Sequence, residues 1–176
     1  MTTTGGVSLR PVTAEDLDLF ETAFAGEEGA GPFQWFGFTA SRLRRRHAED
    51  GLLGPDGGML SVLAGRDTVG RVEWFKSTWG RMDTSFCWTL GIGLVPGARG
   101  RGFGTQAQRQ LARYLFEHTR VERVQAWTDV RNLAEQRALE KAGFAREGVL
   151  RGAQWRGGRW HDQVLFSILR GDEEKS

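Results

Sequence analysis

Residues 96–105 read Pro-Gly-Ala-Arg-Gly-Arg-Gly-Phe-Gly-Thr. They stand between an apolar run, Phe86 to Val95, and a helical pattern in which Ala107, Leu111, Ala112, Leu115 and Phe116 recur on one face. The upstream run (FCWTLGIGLV) is rich in β-branched and aromatic residues and predicts a strand. A loop with alternating glycines at a helix entrance exposes backbone N–H groups with no side chain in the way. The helix dipole adds partial positive charge there, and Arg99 and Arg101 add whole charges. Such a loop suits a pyrophosphate. The plainer alternative is a glycine-rich turn carrying two solvated arginines.

Spacing separates the phosphate ligands. A dinucleotide fingerprint beginning at Gly100 needs glycine at position 105, which is Thr105. A P-loop needs Gly-Lys-Ser/Thr, and no lysine lies between Lys76 and Lys141. What stands here is Arg-x-x-Gly-x-Gly, from Arg99 through Gly102 to Gly104. A second segment runs from Asn132 to Gly143-Phe144 (NLAEQRALEKAGF), after a strand pattern at Val121 to Thr128. Upstream are Leu9-Arg10-Pro11 and Glu15-Asp16-Leu17; downstream are Glu147 to Arg151, Gly158-Arg159-Trp160 and Asp162. Together these motifs resemble the GNAT acetyltransferase superfamily, and the closing segment resembles its RimJ/RimL-like branch. The resemblance covers about residues 7–170 of one domain spanning 1–176.

The resemblance implies an α/β (α+β) fold. It has a mixed, mostly antiparallel sheet of six to seven strands, helices on both faces, and a V-shaped splay between the fourth and fifth strands. It also implies acetyl-CoA as cosubstrate and no metal. The pyrophosphate would lie against Arg99, Gly100, Arg101, Gly102, Phe103, Gly104 and Thr105. The pantetheine arm would lie along Leu94 and Val95, with Asn132 reaching it. Splaying leaves strand amides unpaired, and pantetheine amides can satisfy them. The expected reaction is direct attack of a primary amine on the thioester. A protonated amine must first lose a proton, whereas a thiolate leaves without a strong acid.

The residues depart from the family pattern where acid and base usually stand. Leu139 occupies the position that often carries a tyrosine, Glu135 replaces a common serine, and Thr89 a common glutamate. Other carboxylates near the expected wedge are Glu73, Asp83, Asp129 and Asp162. Glu73, set mid-strand between Val72 and Trp74, and Asp129, at a strand end, are the two candidate bases. Asp162 is a candidate for orienting the amine. Trp35, Phe36, Phe38, Trp74, Trp79, Trp155 and Trp160 are candidates for an aromatic acceptor cleft, or else core. Glu27 and Glu28 form an acidic approach favouring a cationic acceptor.

Composition narrows the classes. The 176 residues carry 24 Lys+Arg against 22 Asp+Glu, a net charge of +2. The run Arg42, Arg44, Arg45, Arg46 reads as a solvated helix face balanced by Glu49 and Asp50, not as a nucleic-acid stripe. Cys87 is the single cysteine, so no internal disulfide forms, and His47, His118 and His161 are too scattered for metal-ligand spacing. There is no membrane-length apolar run and no signal-like start, so a cytoplasmic location is expected; a monomer or homodimer is expected as well. Its partner would be a small-molecule amine or a protein N-terminus. A non-catalytic acyl-CoA-binding module is the second reading. A dinucleotide oxidoreductase is disfavoured by the glycine spacing.

Element expectations follow. Val7 to Arg10 is a strand, and Thr13 with Asp16 forms a capping box for a helix burying Leu17 and Phe20. Gly26 to Gly37 reads as loop, and Thr39 as a cap for the arginine-bearing helix. Met59–Ala64 and Val69–Phe75 pair around Gly65-Arg66-Asp67. A strand at about 84–95 leads into the loop, followed by helices at 105–118 and 133–142 around a strand at 121–128. Gly157-Gly158 turns a closing hairpin, with Trp155 facing Trp160.

Overall fold

The computed structural model describes residues 6–38 and 42–175. One eight-stranded sheet runs through the chain: β1 Val7–Pro11, β2 Leu53–Gly54, β3 Gly57–Ala64, β4 Asp67–Thr78, β5 Phe86–Leu94, β6 Arg123–Asp129, β7 Ala145–Arg156 and β8 Arg159–Leu169. Its order is β1-β3-β4-β5-β6-β8-β7, with β2 beside β3. Every pairing is antiparallel except β5 with β6. The expected six to seven strands become eight because the two-residue β2 folds against Gly57-Gly58, a contact too short to leave a periodic signal.

Helices cover both faces. On one side lie α5, Phe103–His118, and α6, Leu133–Lys141. Ala107, Leu111, Ala112, Leu115 and Phe116 pack there against Val72, Trp74, Trp88 and Leu90 of the sheet. On the other side α1, Ala14–Ala23, brings Leu17 and Phe20 against Leu52 and Met59, with Phe24 beyond its end. Thr13 and Asp16 close the capping box, an arrangement worth about 1 kcal/mol. Asp16 is buried and accepts from Arg10, Ser61 and Thr68 as well. Burial opposes its ionisation, yet these donors, Arg10 first, hold it well below the ordinary carboxyl range.

Two expectations shift. The Gly26–Gly37 stretch contains a one-turn helix, α2, Gly26–Ala30, before its loop. A short helix, α4, Met82–Ser85, precedes β5 where strand was expected to begin. The cap at Thr39 lies outside the described residues; α3 spans Leu43–Asp50 with Arg42 at its N-cap. Its arginines are solvated as expected, Arg45 pairing with Glu49 and Arg44 with Asp18 and Glu21. Trp155 stands opposite Trp160 with ring centroids 5.5 Å apart, edge to face. Among the described residues no helix is long and apolar enough to cross a membrane.

Candidate active site

The parallel pair β5 and β6 decides where a ligand can enter. Their ladder consists of Trp88 with Val124 and Thr89 with Gln125, and then stops. Leu90–Leu94 and Ala126–Asp129 run on without pairing each other, so the sheet opens into a wedge. A buried polar network pins its base. Thr89 Oγ1 meets Ser77 Oγ at 2.7 Å and accepts from Gln125 Nε2 at 3.1 Å, while Gln125 Oε1 accepts from Trp79 Nε1 at 2.9 Å. On the open side, Gln34 of the loop after α2 donates to the Ile92 carbonyl at 2.8 Å.

A groove runs from the wedge across the start of α5, with a volume of about 520 Å³. Gly100 and Gly102 both have left-handed backbone, φ 72° and 79°, which glycine adopts without strain. The first helical bond here is from Gln106 N to Gly102 O, and the N–H groups of Gly100 to Thr105 make no backbone bond among the described residues. Gly104 and Thr105 line the groove with Leu94 and Asn132. Arg99 also lines it, but its guanidinium is tied to the Leu94 carbonyl at 3.1 Å and to the Gly29 carbonyl. Arg101 is exposed over the Phe103 ring, and the Phe103 side chain is core; their backbone alone faces the loop. Val95 packs beside α1.

Asn132 is the N-cap of α6: its Oδ1 accepts from Glu135 N at 3.4 Å, and its Nδ2 donates to Thr128 Oγ1 at 3.0 Å. It lines both this groove and the cleft beyond the wedge. Arg137 and Lys141, one helical turn apart on α6, add positive charge to the groove. Their spacing of four was readable from the sequence as one helix face, and they were missed. Gln108 is fully buried with neither side-chain amide atom hydrogen-bonded among the described residues. Burial pushes the nearby Glu135 carboxyl up to about 7.

On the α1 side of the wedge lies a second cleft of about 580 Å³. Strand alternation turns Arg71, Glu73 and Phe75 of β4 into it. Phe33, Trp35, Phe36 and Phe38 form a wall from the loop, and Trp127 of β6 meets Phe75 edge-on at 5.8 Å. The same alternation corrects one expectation: Trp74 points to the opposite face, where it is buried against Tyr114 of α5. Asp162 is exposed and accepts from Gly152 N at 2.8 Å at a bulge of β7, so it does not line the cleft. Trp79, Trp155 and Trp160 also lie elsewhere, as do the exposed Glu27 and Glu28.

The two candidate bases face the cleft in different states. Asp129 is buried and closely paired: Arg156 Nη2 donates at 2.5 Å, the Arg131 N–H at 2.9 Å, and His161 Nδ1 stands 3.3 Å away. Burial works to raise its pKa, but the Arg131 N–H and the Arg156 guanidinium outweigh that and hold it below the ordinary value. Arg156 also donates to the Phe33 carbonyl at 3.0 Å, tying the closing hairpin to the aromatic loop. Nothing in the sequence marked Arg156; its role depends on a contact across 123 residues. Glu73 has no hydrogen-bond or ion-pair partner among the described residues. It stands over Gly91 of the splayed strand, where an added Cβ would lie 3.2 Å from Glu73 Oε1.

Comparison with known proteins agrees with this geometry. The acetyltransferase (GNAT) domain family matches residues 7–145. A probable N-acetyltransferase of Bacillus subtilis, YjcK, is 35% identical over 107 residues, 61% of this chain and 58% of that protein. The putative ribosomal N-acetyltransferase YdaF of the same organism is 32% identical over 85 residues, 48% of this chain and 46% of that protein. The chain thus spans about half the length of the curated relatives it matches. Among solved structures, spermidine N-acetyltransferase from Vibrio cholerae with CoA and spermine superposes with a TM-score of 0.77 at 18% identity, covering 94% of this chain and 96% of that one. RimJ of Mycobacterium smegmatis, in complex with CoA-disulfide, gives a TM-score of 0.75 at 20% identity, over 94% of this chain and 83% of that one. The wedge, the glycine-rich helix entrance and the family match converge, and the chain belongs to the GNAT acetyltransferase family.

Proposed function

We propose that the protein is an N-acetyltransferase that uses acetyl-CoA to acetylate a primary amine. The observation that carries the reading is the wedge itself. It joins a groove of free N–H groups at the α5 entrance to a cleft in which the unpaired Glu73 faces the opened strand. The free N–H groups from Gly100 to Thr105 suit a pyrophosphate, and the unpaired edges of β5 and β6 suit the amides of a pantetheine arm. When bound, acetyl-CoA supplies the acetyl group as an activated thioester.

Glu73 accepts one proton from the acceptor's ammonium, leaving a neutral nitrogen lone pair. That nitrogen forms a C–N bond as the thioester C–S bond breaks. The second departing amine proton ends on the sulfur, and Glu73 returns its proton to solvent. Asp129, already committed to Arg156 and Arg131, positions the end of β6 and the aromatic loop. A thiolate of ordinary acidity leaves without an acid, which accommodates Leu139 where a tyrosine often stands.

Release of free CoA thiol from acetyl-CoA over a panel of primary amines tests this reading. The wild type is expected to release CoA with at least one amine. Glu73→Gln is expected to lose about 10²–10⁴-fold in turnover with CoA affinity nearly unchanged. CoA binding without release for any amine would favour the non-catalytic reading instead.

A further inference from the structure

Among the described residues, four charged side chains line the acceptor cleft: Glu21, Arg71, Glu73 and Asp129. Two are already neutralised from within. Glu21 is paired with Arg44 at 2.7 Å, and Asp129 with Arg156 at 2.5 Å. The other two, Arg71 and Glu73, have no hydrogen-bond or ion-pair partner among the described residues. They sit two apart on β4, hence on the same face, with Cα atoms separated by roughly 7 Å. What the cleft presents after internal pairing is one positive and one negative charge, side by side.

The surroundings of Arg71 make its lack of a hydrogen-bonded anion consequential. Its guanidinium lies over the rings of Phe24 and Phe20, 4.8 and 5.7 Å from their centroids. Those contacts orient the planar group but provide no acceptor for its N–H donors. Burial lowers its pKa, opposed by the charge of Glu73. Arg71 faces Gly93 across the ladder and Glu73 faces Gly91, so no β5 side chain stands between this pair and the wedge. Around them stand Phe33, Trp35, Phe36 and Trp127, an apolar wall without further free charge among the described residues.

We propose that the acceptor is a small zwitterion, an apolar or aromatic free amino acid, whose carboxylate is held by Arg71 and whose amine is presented to the thioester beside Glu73. The inference rests on the acetyltransferase reading and deepens it. A carboxylate on Arg71 supplies charge-assisted, bidentate hydrogen bonds that the rings cannot. It also places the amine within a few ångströms of that anchor, which is the reach from Arg71 to its strand neighbour Glu73. A polyamine carries no anion for Arg71 and would set a second cation beside it, so the free charges disfavour it.

The test compares phenylalanine, leucine and methionine with their carboxamides and with spermidine. One readout is CoA release; the other is calorimetric binding of the N-acetyl amino acids and of their amides in the absence of CoA. The free amino acids are expected to show kcat/KM at least about tenfold above their amides and above spermidine, and the N-acetyl acids to bind about tenfold tighter than their amides. Arg71→Met is expected to abolish that preference through KM while CoA affinity stays at the wild-type level, and Arg71→Lys to restore part of it. Should Arg71→Met fail to fold, the wild-type comparison of acid with amide decides. Amides or spermidine performing as well as the acids would overturn the inference and leave the acetyltransferase reading standing. No CoA release with any amine, together with no binding of the acetylated acids, would overturn both.

Discussion

Glu135 stands where the RimJ/RimL-like pattern commonly has serine, and in the fold it lines the groove at the α5 entrance. Burial raises its pKa from an ordinary 4.5 to about 7, so the carboxyl beside the groove stays protonated through the mildly acidic range. The folded chain therefore keeps a proton that the unfolded chain releases above about pH 4.5. Its stability falls as pH rises from there to about 7, then levels. Glu135→Gln, which keeps the shape without the titration, is expected to change Tm little at pH 4 and to raise it relative to wild type by pH 8. Thermal unfolding across that range checks it, and a constant offset would contradict it. Single-residue roles were the least legible part of the sequence. Glu73 could be singled out because an acid mid-strand is unusual, but the state of Asp129 depends on Arg156, which approaches from far along the chain. Trp74 and its neighbour Glu73 lie on opposite faces, as strand alternation requires, so the expected place of Trp74 in the cleft fails on a local rule.

At the scale of elements the sequence was far more explicit. The capping box at Thr13, the Gly65 hairpin and the Trp155–Trp160 register each rest on local rules, and each appears, the hairpin with its turn tightened to Gly65-Arg66 because Asp67 pairs with Ala64. The short pieces α2, α4 and β2 were missed because a single turn or a two-residue bridge carries no period. The glycine-rich entrance of α5 gives the sharpest element-level prediction. A Cβ on Gly104 would meet only ordinary contacts, the nearest being Leu94 Cδ1 at 3.6 Å, and its φ is not in the left-handed region. Gly104→Ala is therefore expected to fold normally and to weaken CoA binding modestly. Gly104→Asp, which sets a carboxylate against the helix entrance, is expected to fold and to lose CoA affinity by at least tenfold. Calorimetric titration with CoA, with circular dichroism to verify folding, measures both. Equal affinity in wild type and Gly104→Asp would remove the groove from consideration as the pyrophosphate site.

Across the whole molecule, the fold places two chemically different spaces on either side of one gap in the sheet. The groove at α5 is rich in free N–H groups and basic side chains, while the cleft under α1 is aromatic with, among the described residues, one free charge of each sign. The wedge between β5 and β6 is their only structural requirement in common, because it lets a thioester entering from the groove meet an amine held in the cleft. The strand pattern, the glycine loop and the asparagine segment make that wedge legible in the sequence, through resemblance. The polar network of Ser77, Thr89, Gln125 and Trp79 that fixes where the strands part required the register of three strands and was not visible. The most direct test is a crystal structure of the protein with CoA. Density for the pyrophosphate is expected within hydrogen-bond distance of the N–H groups of Gly100 to Thr105, and the sulfur between β5 and β6 near Gly91 and Glu73. A pyrophosphate bound away from the α5 entrance, or a sulfur outside the wedge, would contradict it.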